Sequence, residues 1–322
     1  MGTSVSLAYE KSDFGVPEHN LKKISEYKDK RFGQVTILRE KIAPKRMFLR
    51  KTVPYTSDED IRSIQKKIPL RQTLPDFYAQ ITGNNVEKVD RLCLQELRME
   101  ITVHYSKNNL QTEIKKRSET NKGFEIEELM HILMALVHFC DALDLFKTQE
   151  QMLGPEIIML YPRGLISVME TQFLRPGINR YKKMLAISYE PIKPDRWEIL
   201  APEELICLKE RKKESNCSIE KIHSFTIGII MLCALACKGP DWFYDLAKFQ
   251  YLPDKAEEVL KVSNLNFEFL ELIRSCLIAN PVERPSSADL LDKIELLKVR
   301  LQIDSNLEEV MFQKNANNIS MY

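Results

Sequence analysis

Between Glu125 and Phe146, apolar residues recur at three- and four-residue steps. Leu129, Ile132, Leu133, Leu136, Val137 and Phe139 fall on one face, which predicts a long amphipathic helix. A second run, FTIGIIMLCALAC over Phe225–Cys237, is apolar all round and predicts a helix buried on every side. At about 1.5 Å per residue it reaches roughly 20 Å, short of a ~30 Å hydrocarbon layer, so a core helix is expected rather than a span. Helical periods also cover NLQTEIKKR, FLELIRSCLIA and SADLLDKIELLKVRLQ.

Before about residue 108 the pattern is different. QVTILREK (Gln34–Lys41) and KRMFLRKTV (Lys45–Val53) read as two strands across a polar turn. SDEDIRSIQKKI (Ser57–Ile68) opens on capping and acidic residues and predicts a helix. RLCLQEL (Arg91–Leu97) predicts another short strand. After the long helix, EIIML and LISVM read as two short strands joined by the turn YPRG. The chain therefore divides into an N-terminal segment (1–19), a small strand-rich part (20–97), a larger helical part (98–303) and a polar tail (304–322). This is a two-lobed α+β layout.

Composition narrows the function classes. The 322 residues carry 47 basic and 46 acidic side chains, a net charge of +1, so no overall field favours nucleic acid or an acidic membrane. The basic cluster KERKK (Lys209–Lys213) has acids nearby and reads as a solvated loop. The seven Cys are scattered, mostly in apolar runs, which fits a reducing compartment. Cys233 and Cys237 are one helical turn apart, but no second Cys or His pair stands at zinc-site spacing, so they read as small buried hydrophobes and no metal is expected. The first twenty residues lack the apolar core of a secretory signal. They do begin MGTSVS, which matches the N-myristoylation pattern through Gly2 and Ser6; membrane association is expected only if Gly2 is acylated.

Three segments of the second half share an order and spacing. The first is Ala201-Pro202-Glu203 in WEILAPEEL, with Trp197 just before it. The second is HSFTIGIIMLCAL from His223, which contains Gly228. The third is LIANPVERPSSADLL, with Arg284-Pro285. Together they resemble the activation-segment end, the buried helix and the R-P motif of the protein kinase family over about residues 20–300. The resemblance implies a two-lobed kinase-like fold with Glu203 paired to Arg284. Both residues are present, and a buried pair tolerates loss of one member badly.

The resemblance also allows the reaction machinery to be checked position by position. The phosphate-covering loop falls on KDKRFGQV, where Lys28 and Lys30 replace two glycines and only Gly33 and Val35 remain. The strand lysine falls on Arg50, with Lys51 next, and its glutamate partner falls near Gln65–Lys67, where no acid occurs. The adenine-edge hinge falls on Glu96 and Leu97. In the catalytic loop the base becomes Met152, the lysine Gly154 and the metal-binding asparagine Ile157. The metal-holding aspartate of the next motif becomes Glu170. Methionine cannot accept a proton, and isoleucine offers no oxygen to Mg²⁺.

His223 replaces the aspartate that opens the buried helix and is expected to bond to local backbone carbonyls. Asp141, Asp144, Glu150 and Glu156 are the carboxylates that could substitute for the base. The expectation is a pseudokinase without cofactor, acting as a protein-binding scaffold or as a structural, for example cytoskeletal, component of a larger cytoplasmic assembly. Its rivals are an atypical Ser/Thr-type kinase using relocated carboxylates and an inactive kinase homologue that still binds nucleotide. The former activation segment, Glu170–Arg196, is where a partner surface is expected first.

Overall fold

The computed structural model describes residues 18–29, 33–42, 46–55, 81–91, 94–145, 153–160, 166–169, 180–194, 197–213 and 218–301. The helix expected over Ser57–Ile68, the YPRG turn, Gly2, Lys30, Glu150, Met152, Glu170 and the tail lie outside the described residues. The fold is mixed α+β, with an antiparallel sheet and several helices. It separates into two compact units: Met1–Lys107 with Met169–Gly177, and Asn108–Val168 with Ile178–Tyr322.

The first unit is built on five antiparallel strands: β1 (Leu21–Asp29), β2 (Gly33–Glu40), β3 (Met47–Tyr55), β4 (Ile81–Arg91) and β5 (Leu94–His104), in the order β1-β2-β3-β5-β4. Its interior is made by Val35, Ile37 and Leu38 of β2, Phe48, Leu49 and Val53 of β3, and Ile101 and Val103 of β5. β1 is an edge strand whose Lys22, Lys23 and Lys28 are exposed, the usual guard against edge-to-edge pairing.

One expected strand is corrected. RLCLQEL is not a single strand but straddles a hairpin, with β4 ending at Arg91 opposite Leu94, where β5 begins. Leu97, Met99, Ile101 and Val103 alternate with polar residues, and this period-two pattern carries β5 on to His104. The compact unit that carries this sheet runs to Lys107.

The second unit opens with α1 (Leu110–Thr120). Asn109 caps it reciprocally: its Oδ1 accepts from Thr112 N at 2.9 Å, and Thr112 Oγ1 accepts from Asn109 N at 3.0 Å. The long helix α2 (Ile126–Leu145) buries all six of the periodic apolar residues named above. The hairpin β6 (Ile158–Leu160) and β7 (Ile166–Val168) follows, then α3 (Arg180–Ile187), α4 (Pro202–Lys209) and α5 (Ile219–Ala236). A two-stranded ribbon, β8 (Tyr244–Asp245) and β9 (Gln250–Tyr251), leads to α6 (Pro253–Val262), α7 (Phe267–Cys276) and α8 (Ser287–Arg300).

α5 is the centre of this unit, packed by α2 and α7. It is long and apolar enough to cross a membrane, yet 72% of it is buried inside the protein. Gly228 lets α7 approach: a Cβ there would lie 2.8 Å from Leu277 Cδ2 and 3.0 Å from Cys276 Cβ. Gly228→Ala gains about 1 kcal/mol of helix propensity but forces overpacking of about 1–3 kcal/mol. A net destabilisation of about 0–2 kcal/mol is expected in urea unfolding; a stabilised variant would show that the helices part freely.

Candidate functional site

The ion pair between Glu203 and Arg284 organises the second unit. Ala201 precedes α4, Pro202 is its first residue, and Ala201 N–H donates to Glu204 Oε2 at 2.8 Å, so the helix start is closed from within. Proline suits that first position because its missing N–H would have had no helical acceptor. Glu203, next along, reaches Arg284, which lies just past a short helical turn, Pro281–Glu283, ahead of the buried Pro285.

Arg284 Nη1 donates to Glu203 Oε1 at 2.9 Å and Nη2 to Oε2 at 2.6 Å. The remaining donors are taken by backbone carbonyls: Nε by Ile278 O at 2.6 Å, Nη1 also by Lys221 O at 2.8 Å and Nη2 also by Ala279 O at 3.0 Å. Lys221 Nζ in turn donates to Arg284 O, and the guanidinium sits 5.1 Å from the Phe225 ring centre. The Arg284 side chain is 0% exposed and that of Glu203 14%. A buried guanidinium is tolerable because each of its five N–H groups has an acceptor.

A second cluster ties three helices together. His223 Nδ1 lies 3.0 Å from Oδ1 of Asp144 on α2, and Asp144 Oδ2 accepts from Ser287 Oγ at 2.8 Å, at the start of α8. With a carboxylate as acceptor, Nδ1 carries the proton; Nε2 is buried without a hydrogen-bond partner. The expected bonding of His223 to local backbone carbonyls is thus corrected. Its partner comes from α2, which packs on α5.

These are the residue types of a nucleophilic triad in a different arrangement. Ser287 bonds the carboxylate, not the imidazole, so no imidazole base faces its proton, and it is 1% exposed. Asp144 is committed to this cluster. Asp141 is half-buried, and burial, reinforced by the charge of Asp144, raises its carboxyl pKa from the ordinary range.

Of the positions matched to a catalytic loop, Gly154 and Ile157 lie within the described residues. Gly154 is extended and buried, followed by a tight turn Pro155–Ile157 that leads into β6. Ile157 is 2% exposed. The Glu156 carboxylate folds back over Gly154, occupying the space where a side chain at 154 would begin. A lysine at 154 would meet that carboxylate at its first carbon.

In the first unit, Gly33 opens β2 at φ 71°, a left-handed conformation that suits glycine. Arg50 lies on β3, and its Nε donates to Thr102 Oγ1 of β5 at 3.0 Å. The positions matched to the adenine-edge hinge are Glu96 and Leu97. Both lie inside β5, Glu96 opposite Val89 and Leu97 opposite both Lys88 and Tyr55. With strands on either side, the backbone of Leu97 belongs to the sheet ladder and has no free edge for a base. The first unit continues past β5 to Lys107, and Tyr105 N–H donates to Met47 O at 3.0 Å.

Among the described residues, no three His, Cys, Asp or Glu side chains cluster as a metal site. Burial pushes the Cys233 thiol well above its usual range, which disfavours the thiolate a metal would need. No protein-family model matches the chain, and no curated protein does.

Proposed function

We propose that this protein is a pseudokinase: a two-lobed kinase-like chain that lacks phosphotransfer and acts by binding other proteins, as a scaffold or as a structural component of a cytoplasmic, for example cytoskeletal, assembly. The observation that carries this reading is a contrast within the second unit. The architectural pair is formed, with Glu203 and Arg284 bidentate at 2.9 and 2.6 Å. The position that would hold the metal is the buried apolar Ile157, and the position of the catalytic lysine is Gly154, covered by Glu156. A small sheet unit ahead of a larger helical one supports the same reading.

On this reading the relocated carboxylates do not restore transfer from ATP. Asp144 is engaged by His223 and Ser287, and Glu156 lies against the backbone. Incubation with labelled ATP and Mg²⁺, alone and with a generic protein substrate, is expected to give no transfer. Robust transfer abolished by Glu170→Ala would overturn the proposal. A melting-temperature scan with ATP, with and without Mg²⁺, is expected to show no shift. A rise that scales with ATP concentration would identify a nucleotide-binding form instead.

A further inference from the structure

Ser188 and Tyr189 follow the end of α3, and α4 ends in a turn through Glu210, Arg211 and Lys212. That turn is doubly closed: Arg211 N–H donates to Leu208 O at 3.1 Å and Lys212 N–H to Cys207 O at 3.0 Å. The geometry puts Arg211 at φ 56°. This is the helix-ending position that glycine or asparagine ordinarily fills, because a longer side chain crowds the following carbonyl. Capping alone gives no reason for arginine here.

What the arginine adds is a fixed cation on an aromatic face. Its guanidinium lies 4.5 Å from the Tyr189 ring centre and donates to Ser188 Oγ. Tyr181 Oη donates to Lys212 O at 2.8 Å, a second tie between α3 and the end of α4. The corner is therefore pre-organised, yet Tyr189 remains 70% exposed. Lys209, Arg211 and Lys213 are exposed, and among the described residues none of them carries an ion pair, whereas Lys212 is answered by Glu210 at 2.6 Å. In a chain of net charge +1 this is a local concentration of positive charge.

We propose that this corner of α3 and α4 is the docking surface for an acidic segment of a partner protein, with its carboxylates on Lys209, Arg211 and Lys213 and an apolar or aromatic side chain against Tyr189. The inference rests on the partner-binding reading above and gives it a place and a chemistry. Tyrosine and arginine are the side chains that most often anchor interfaces, and holding them in place beforehand removes part of the ordering cost of association. Glu190 and Glu210 are exposed close in sequence to the cations, which suits a peptide with spaced carboxylates and opposes a continuous phosphate backbone.

The test uses the full chain and a short fluorescein-labelled peptide of alternating Glu and Tyr, followed by fluorescence anisotropy. Saturable binding that weakens as salt is added is expected. Arg211→Gly accepts the left-handed backbone without strain, so it keeps the fold, and is expected to lose about tenfold in affinity. Tyr189→Ser and the pair Lys209→Glu/Lys213→Glu are expected to lose at least as much. Absence of binding by the folded wild-type chain would overturn the proposal, as would affinity unchanged in Arg211→Gly and in the double variant. Oligothymidylate binding as tightly as the peptide at the same site would overturn it too. The ATP-transfer assay reads none of these outcomes, so loss of this surface and loss of the pseudokinase reading are separable.

Discussion

Arg284→Ala is expected to remove about 3–5 kcal/mol of stability, the cost of breaking a buried ion pair from one side. A domain of ordinary stability holds about 5–15 kcal/mol in total, so this one change brings the second unit close to its folding limit. The loss has separate parts. Three backbone carbonyls, of Ile278, Ala279 and Lys221, lose their donor in a buried place, and Glu203 is left without its counter-charge. The space of a fully buried side chain is emptied as well.

Glu203→Gln should cost less, because the amide oxygen still accepts from the guanidinium and the carbonyl bonds to Arg284 remain. Arg284→Lys should sit near the alanine variant, since three ammonium donors cannot reach five acceptors arranged for a planar fork. The informative variant is the double change Glu203→Leu/Arg284→Met, which removes both charges and refills the volume. It should recover more than half of the loss of Arg284→Ala in urea midpoints measured at equal m-value. Equal stability of wild type and Arg284→Ala would show that the pair contributes nothing and that the unit is held by its apolar core alone.

Some of this was legible in the sequence, for reasons that can be located. The faces of α2 and α5 are written in local periodicity, and local periodicity survives folding: every apolar residue expected on the inner face of α2 is buried. β2 and β3 are legible for the same reason. β1 is not, because an irregularity between Lys23 and Ser25 breaks its alternation at Ile24. β4 contains Gly83, Asn84 and Asn85, residue types depleted in strands, and it is a strand because β5 pairs with it along its length. The apolar Leu92-Cys93-Leu94 drew the expected strand across the end of β4 and the start of β5.

Motifs supplied what periodicity could not: Glu203 and Arg284 were matched by order and spacing with a known family. Asp144, His223 and Ser287 had no such guide. His223 stood out as a substituted position, but nothing local marks an aspartate on α2 as its partner. The left-handed Arg211 and its stack on Tyr189 were hidden for a similar reason, since a basic run at a helix end reads as solvated until its backbone is seen.

Asp144→Ala tests the cluster that the sequence did not show. The carboxylate takes His223 Nδ1–H and Ser287 Oγ–H, and both donors sit on residues only 1% exposed. Removing it orphans two buried groups at about 1–3 kcal/mol each, so a loss of about 2–5 kcal/mol is expected. Asp144→Asn should lose less, because its oxygen still accepts from one of the two donors. The amide can then bond the imidazole only by donating to Nδ1, which moves the ring proton to Nε2, an atom with no acceptor.

A double-mutant cycle of Asp144→Ala with His223→Ala should give a coupling of about 1–3 kcal/mol, and hydrogen exchange should quicken in α5 and α8 together, the helices that Asp144 joins to α2. The same residue separates the rival functions. A relocated catalytic base would make Asp144→Asn fully stable and abolish ATP transfer; a tie between helices makes it less stable and leaves no transfer to abolish. Stability unchanged to within about 0.5 kcal/mol in Asp144→Ala would remove the structural role. Asp144 would then return to the carboxylates from which a base could be drawn.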